Sequence, residues 1–528
     1  MKRPFRGLRD QNPDGSYDAV VIGAGVGGLV CANLLARGGL RVLLVEQHYM
    51  VGGYCSTFRR AGYTFDAATH FYPLLGNPRT ITGKLLRELG LTQEWVKMDP
   101  VDHFHFPDGS SFSVPADFDA YLLKLKAEFP DEARSLDDFF ATVREVYLHG
   151  LLEHFRWRPT DRLDPFRPMT VRDALDRYFR DPKLKLLLTA DCSHWGSPPR
   201  RISFVFDSML RLSYFLGNYY PRGGSQAFAD ELAQRFEERG GHILMSTNVR
   251  RIVVRRGAAR GVELETGPKH ARRMVSVDAG VVVSNADLLL TLERLVGAEH
   301  VGTGPLAAMR SLRPTHPCFL THIGLKGMPT EVLRAAEGYH WSSWNPDDVP
   351  TASIKFFVPT LFDPTLAPPG GHIVIVQKLT DVDFDNVTDW AAHKASVERY
   401  VMSRLEGVMP GFSEKVVVSL SASAHTSYRY TLNHRGAMLG WEMSPDQLGA
   451  HRPALNGLVR NLYFVGHWTQ PGGGITPVIV SAMRVAESIA ARADEYFAPR
   501  AAAQHGADTS REFVGAPAAT EPCEVAPV

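Results

Sequence analysis

Two glycine-rich segments of this chain have the residue types and spacing for binding chemistry: Gly23-Ala-Gly25-Val-Gly27-Gly28, and Gly466-His-Trp-Thr-Gln-Pro-Gly-Gly-Gly474-Ile-Thr476-Pro477. The first follows the spacing G-x-G-x-x-G. Gly23 permits a tight turn, Gly25 lets backbone approach a pyrophosphate, and Gly28 lets a helix pack closely on a strand. A helix that opens at such a turn offers unpaired N–H groups and a positive dipole end to phosphate oxygens. Glu46 follows at the end of the next strand, where its carboxylate can accept hydrogen bonds from both ribose hydroxyls of an adenosine. The second segment leaves an apolar strand at 461–465 and feeds a helix, with Thr476 suited to the N-cap and Pro477 to the first helical position. A helix start buried in a cleft stabilises negative charge developing on a bound group. His467 and Trp468 stand immediately before the glycine run and His70 just past Gly62-Tyr-Thr-Phe-Asp66, which makes these three the candidate catalytic residues. His70 suits an acid–base role or a place facing an apolar substrate.

The elements that must position these groups are legible. Tyr17-Asp-Ala-Val-Val-Ile22 and Arg41-Val-Leu-Leu-Val45 read as buried strands of the parallel type, with a helix between them, a βαβ unit within about 30 residues. Residues 116–220 interleave Phe, Tyr, Leu and Arg in helical patterns. A helix is expected over 225–239, and strands over 242–245, 250–255 and 279–284, returning the chain to an α/β pattern. Beyond 286, strands (373–378, 415–420) mix with a helix over 390–406 and aromatic-rich loops. Residues 461–497 are strand, glycine loop and helix. The expectation is an α/β protein in which a Rossmann-like nucleotide domain (17–115, 221–287 and 455–497) is discontinuous. An α+β substrate or lid domain (116–220 and 288–454) is inserted into it, with a leader at 1–16 and a disordered tail at 498–528.

Together the motifs resemble the flavoprotein superfamily of amine oxidases, protoporphyrinogen oxidase and phytoene desaturase. There a strand-helix-strand unit ending in Glu is followed by a Gly-Gly turn against the diphosphate of FAD; here the pair is Gly52-Gly53. Many members carry Arg directly after the pair, and this chain has Tyr54. Within the superfamily the chain is most similar to the carotenoid isomerase and retinol saturase branch. The strings that carry this are Glu46-Gln-His, Gly52-Gly-Tyr-Cys, Phe65-Asp66 with His70-Phe-Tyr72, Gly466-His-Trp-Thr-Gln-Pro-Gly-Gly-Gly, and Arg435-Gly-Ala-Met-Leu-Gly-Trp441 with Pro445 and Gln447. A weaker match runs from Tyr220-Pro-Arg-Gly-Gly-Ser-Gln226 through Thr247-Asn-Val249 to Val281-Val-Val-Ser-Asn-Ala-Asp287.

The resemblance implies FAD held by Gly23, Gly25, Gly27, Gly28, Glu46, Gln47, Gly52, Gly53, Tyr54, Val249, Asn285, Gly466, Gly473, Gly474, Ile475 and Thr476, with the adenine against the Val249 backbone. It implies a hydrophobic isoprenoid polyene as substrate, handled by hydride exchange with the flavin or by flavin-assisted cis-trans isomerisation. Three other readings stay open: a phytoene-type desaturase, an amine or porphyrinogen oxidase, and a non-catalytic prenyl-binding protein of the GDP-dissociation-inhibitor type.

Composition narrows the partners. With 58 basic against 57 acidic residues and a net charge of +1, nothing points to nucleic acid. The five cysteines are scattered without a Cys-x-x-Cys pair, so neither a disulfide scaffold nor a metal site is expected, and a reducing, cytoplasmic setting is. No run reaches the ~18 apolar residues of a membrane span. The stretch 154–167, with Arg156, Trp157, Arg158, Arg162, Phe166 and Arg167, suits peripheral contact with anionic lipid. Trp195, Trp341, Trp344 and Trp441 are candidates to line an apolar tunnel, and the oligomeric state is left open.

Overall fold

The computed structural model describes residues 15–189, 192, 195–267 and 270–496; nearly all of the expected leader, and the tail with Cys523, lie outside them. Five short apolar strands run parallel in one sheet: His242–Leu244, Val42–Val45, Ser16–Ile22, Arg273–Ser284 and Leu462–Phe464. Their apolar runs are continuous because both faces are covered. Ala19, Val21, Leu44 and Val281 pack against the helices Val26–Arg37, Ser225–Glu238 and Ile475–Ala490 on one side. Val20, Ile22, Leu43 and Val282 pack on the other side against residues 288–306. The first half of Arg273–Ser284 extends beyond the parallel core and pairs antiparallel with Ala258–Thr266, which pairs in turn with Asn248–Arg255.

A second seven-stranded sheet runs in the order Val416–Ala422, Cys318–Lys326, Gly371–Leu379, Ser353–Phe357, Gly338–Trp341, Asp102–His105, Ser111–Val114. Alternation sorts its faces. Ile373, Ile375 and Leu379 meet a helical lobe built on Ala133–Gly150 and Phe204–Phe215, while Val374 and Val376 meet Val401 and Leu405 of the helix Trp390–Val408. Two segments join a different half from the one the expected boundaries give them. The hairpin 102–114 hydrogen-bonds into the second sheet through Tyr339↔Phe104. The helical stretch from Leu288 onward buries Leu288, Leu292 and Leu295 against the first sheet. Edge pairing in one case and an apolar face in the other place these segments, neither of which a change in composition marks.

Among the described residues, no helix is long and apolar enough to cross a membrane. In the stretch 154–167, residues 156–159 and Arg162 are exposed, with Arg484 4.2 Å over the Trp157 ring, whereas Arg167 is paired with Glu153.

Candidate functional site

The chemistry-bearing residues gather because parallel strands end side by side. Gly23, Glu46 and Asn285 each follow the last residue of a strand, and Gly466 stands two residues past its own. Ligands of open parallel sheets bind outside those carboxyl ends. A single cavity of about 1590 Å³ opens there. Of the residues singled out for cofactor or catalysis, all but Gly28 and Gly473 line it.

At one end the glycine loop and Glu46 are locked together. Ala24 N–H donates to Glu46 Oε2 at 2.7 Å and His48 N–H to Oε1 at 2.8 Å. Burial raises the pKa of this carboxyl, and those backbone N–H groups pull it back. Glu46 lines the cavity. The helix Val26–Arg37 starts at Gly25 with no side-chain cap and no acidic residue in its first turn, which leaves its N–H groups to a ligand. A Cβ on Gly25 would stand 2.9 Å from Asn285 Nδ2 and one on Gly27 2.6 Å from Asn285 Oδ1, so only bare backbone fits beside that amide. A Cβ on Gly28 would fall 2.0 Å from Gly23 O, the close helix-to-strand approach that this position serves. Gly52 bridges to Gly25, and its N–H donates to Ala24 O at 2.8 Å, bringing the second glycine pair against the first loop. Asp66 ties two more segments together, accepting from Tyr220 OH at 2.5 Å and Ser225 N–H at 2.7 Å. Gln47 is exposed at the rim, its Nε2 3.4 Å from Tyr430 O. Val249 sits at a bulge in the strand Asn248–Arg255.

At the other end the helix Ile475–Ala490 begins after Gly474 (φ 102°), without a side-chain cap. Thr476 is therefore inside the helix rather than at its N-cap, and its hydroxyl donates to Pro73 O at 3.0 Å. Gly474, at positive φ, takes the N-cap position that Thr476 was expected to hold, and Pro477 falls at the third helical residue instead of the first. Gly466 N–H donates to Ser481 Oγ at 3.0 Å, closing the loop between strand and helix. Trp468 is fixed by Nε1–H to Asn433 Oδ1 at 3.1 Å and by an edge contact with Trp441 at 4.8 Å. Tyr54 donates to Ala437 O at 3.1 Å, and its ring lies 6.4 Å from that of His467. Gly440 and Gly473 interlock the 439–443 segment with this loop: a Cβ on either would strike His467 O or Leu439 O within 2.4 Å. Burial, with Arg452 behind it, pushes His467 down to about 3.

Between the helical lobe and the second sheet the cavity continues as an apolar arm past Phe71, Trp195, Leu210, Tyr214, Leu320 and Met438. Of the four tryptophans considered for a tunnel, Trp195 lines the arm, Trp341 and Trp441 are buried elsewhere, and Trp344 is on the surface. His70 stands at this arm, stacked on Phe357 at 4.7 Å, with Nδ1 2.8 Å from Ala68 O. Burial and then the nearby Lys355 ammonium hold it at about 3, so it is a neutral ring at physiological pH. Asn433, Gly440 and Arg452 escaped the sequence reading. Only Gly440 lay in a motif already noted.

A profile described as flavin containing amine oxidoreductase matches residues 26–490, most of the chain. The protein belongs to this family. This oxidoreductase is 27% identical to prolycopene isomerase 1 of an Oncidium hybrid, over 90% of the chain and 84% of the relative. It is 28% identical to a neurosporene-forming phytoene desaturase of Rhodobacter capsulatus (91% and 95% covered). It is 27% identical to all-trans-retinol 13,14-reductase of Macaca fascicularis (85% and 82%). Its fold matches the crystal structure of an oxidoreductase from Methanosarcina mazei with a TM-score of 0.64 at 18% identity, covering 89% of this chain and 99% of the other. Membership makes the protein a flavin enzyme, and the bare glycine backbone beside Asn285 and the uncapped helix starts fit such a group.

Proposed function

We propose that the flavin is FAD, lying along the cavity, and that the enzyme acts on a hydrophobic isoprenoid polyene held in the apolar arm. The observation that carries this is continuity: one cavity of about 1590 Å³ runs from Glu46 and Val249 past the 466–476 loop into the arm. That exceeds the roughly 300–1,000 Å³ of a site for one small ligand and leaves room for two. The three relatives named above act, by their names, on prolycopene, phytoene and all-trans-retinol, which are apolar polyenes.

In this reading Glu46 takes the adenosine ribose, the Val249 backbone meets the adenine, and Gln47 closes the rim. The diphosphate lies on Gly23, Gly25, Gly27, Gly28, Gly52 and Gly53, beside Tyr54 and Asn285. Gly466, Gly473, Gly474, Ile475 and Thr476 carry the flavin end. When bound, the flavin supplies reversible transfer of an electron pair to or from an allylic carbon. The chain's own residues orient and dry the site. Trp468, clamped by Asn433 and Trp441, and the neutral rings of His467 and His70 form an unyielding wall against which a polyene can lie. The apolar arm excludes water from the reacting carbon.

The test is an anaerobic incubation of FAD-loaded protein, both oxidised and after reduction with dithionite, with a panel of polyenes, followed by absorbance and mass. A red shift with loss of two hydrogens marks desaturation, a blue shift with gain of two marks saturation, and a shift at constant mass marks isomerisation. If no polyene changes while an amine or a porphyrinogen is oxidised, the substrate reading is overturned. If purified protein carries no flavin and takes up no added FAD, the cofactor reading is.

A further inference from the structure

Behind the flavin-end loop lies a cation that no part of the proposed function uses. Arg452 is 2% exposed and, among the described residues, has backbone carbonyls and no carboxylate as partners. Its Nε donates to Thr469 O at 3.0 Å and Nη1 to Glu442 O at 3.3 Å; Nη2 donates to Trp441 O at 3.1 Å and His467 O at 2.7 Å. A Cβ on Gly472 would stand 3.8 Å from Arg452 Cζ, so the guanidinium sits under both limbs of the 466–474 loop. The Glu442 side chain, next door in sequence to one acceptor, is engaged elsewhere, with Ser197 at 2.6 Å, Arg201 at 3.0 Å and Arg313 at 3.2 Å.

Carbonyl dipoles orient such a charge but do not neutralise it, and burial alone pushes the arginine down to about 9. The charge is felt across the loop, since after burial it is the second cause of the low pKa of His467, whose ring lines the cavity. The uncapped N-terminus of Ile475–Ala490 adds positive potential of the same sign at the same place.

We propose that Arg452 is a positioning residue that also acts electrostatically. It holds the 466–474 loop and supplies the buried positive charge that favours the anionic form of the reduced flavin. The inference rests on FAD occupying this end of the cavity. With a fixed cation there, reduction by two electrons takes up one proton instead of two, the second negative charge being balanced by the guanidinium. Desolvation and the short path across one layer of backbone make the interaction strong in this setting.

The test is a redox titration of FAD-loaded wild-type protein between pH 6 and 8, with dithionite as reductant and indicator dyes. One proton per two electrons predicts that the midpoint potential falls by about 30 mV per pH unit, one tenfold step of a two-electron couple. A fall of about 59 mV per unit down to pH 6 overturns the proposal. Arg452→Met is expected to shift the reduced/oxidised equilibrium at least tenfold toward oxidised, whereas Arg452→Lys stays within threefold of wild type. A purely structural staple would lower the melting temperature of both variants and leave the potential of their bound flavin unchanged, which also overturns it. If Arg452→Met holds no FAD, the wild-type slope decides. Wild-type protein that binds no FAD refutes the cofactor reading and this one with it, while bound flavin with the steeper slope refutes this one alone.

Discussion

Acidification from pH 6 to pH 5 will destabilise the folded protein by roughly 2–3 kcal/mol, following the proton count of its buried groups. His70 and His340 are held at about 3, His322 at about 4 and His467 at about 3, all by burial first, against an ordinary 6.5. A folded pKa below the unfolded one gives stability that is present above 6.5 and lost as pH falls. At pH 5.5 the unfolded chain therefore holds nearly four protons that the folded chain does not. Two carboxyls oppose this. Burial raises Glu337 to about 8 and Asp287 to about 6, so the folded state holds almost two protons that the unfolded state lacks. Glu46, Asp66 and Asp207 are raised as well and act in the same direction as these two. For the four histidines with Glu337 and Asp287 the balance is an uptake of about two protons on unfolding, each worth ~1.36 kcal/mol per pH unit. His154, held at about 4 by burial, adds to it against the opposing pull of Glu46, Asp66 and Asp207. Between pH 8 and 7 the extra proton on folded Glu337 outweighs the small protonated fraction of the four unfolded histidines, and there stability should rise slightly as pH falls. Near pH 7 the histidine and carboxyl contributions cancel, so the optimum is expected there. Urea unfolding at fixed ionic strength from pH 8 to 5 measures the curve, and His340→Phe should reduce its acid slope by about one proton. Stability that is flat or rising from pH 6.5 to 5 would refute the burial argument for these histidines.

Three other outcomes are expected. Glu46→Gln places an NH2 group against the N–H of Ala24 or His48 and removes a charged acceptor, so the Kd for FAD by calorimetry should rise roughly 10- to 100-fold. Gly28→Ala forces a methyl to within 2.0 Å of Gly23 O and should cost at least the ~1–3 kcal/mol of an overpacked core, seen in denaturation and as lost FAD retention. Replacing the exposed Arg156, Arg158 and Arg162 by Gln should abolish co-sedimentation with anionic liposomes at low salt, and binding by neither wild type nor variant removes the membrane expectation.

The glycine-loop half of the fold was legible because its pattern is local. The turn at Gly23, the uncapped helix start and the carboxylate of Glu46 all lie within 24 residues, and strand pairing brings them together whatever the rest of the chain does. The second sheet was legible only as strands. Nothing in Asp102-His-Phe-His105 says that it pairs with Gly338–Trp341, because that pairing joins residues more than 230 positions apart. Shorter separations, of 35 and 15 positions, were enough to hide the supports of the 466–474 loop. Trp468 was singled out, but Asn433, which fixes its ring, and Arg452, which fixes its loop, carry no local signal of either role. Thr476-Pro477 misled in the opposite way. The pair has cap chemistry, yet Gly474 had already supplied the turn, and the threonine hydroxyl was free to reach Pro73.

What the arm lacks bears on the reaction as much as what it holds. A desaturase must remove a proton for each hydride it takes from a polyene, and a saturase must deliver one; an isomerase moves neither in net. Among the described residues along the arm, His70 and His322 are held at about 3 and 4 and Cys318 at about 12, while burial also raises Tyr54. None of these four changes charge between pH 5 and 8, so none is a poised general acid or base. Rearrangement at constant mass needs no such group, which gives the assay a second readout. The polyene step, followed by stopped-flow with FAD-loaded protein between pH 6 and 8, should be independent of pH to within about twofold. A bell-shaped profile with a limb in that range, accompanied by gain or loss of two hydrogens, would show that a proton donor or acceptor reaches the arm after all and would overturn this reading of the arm.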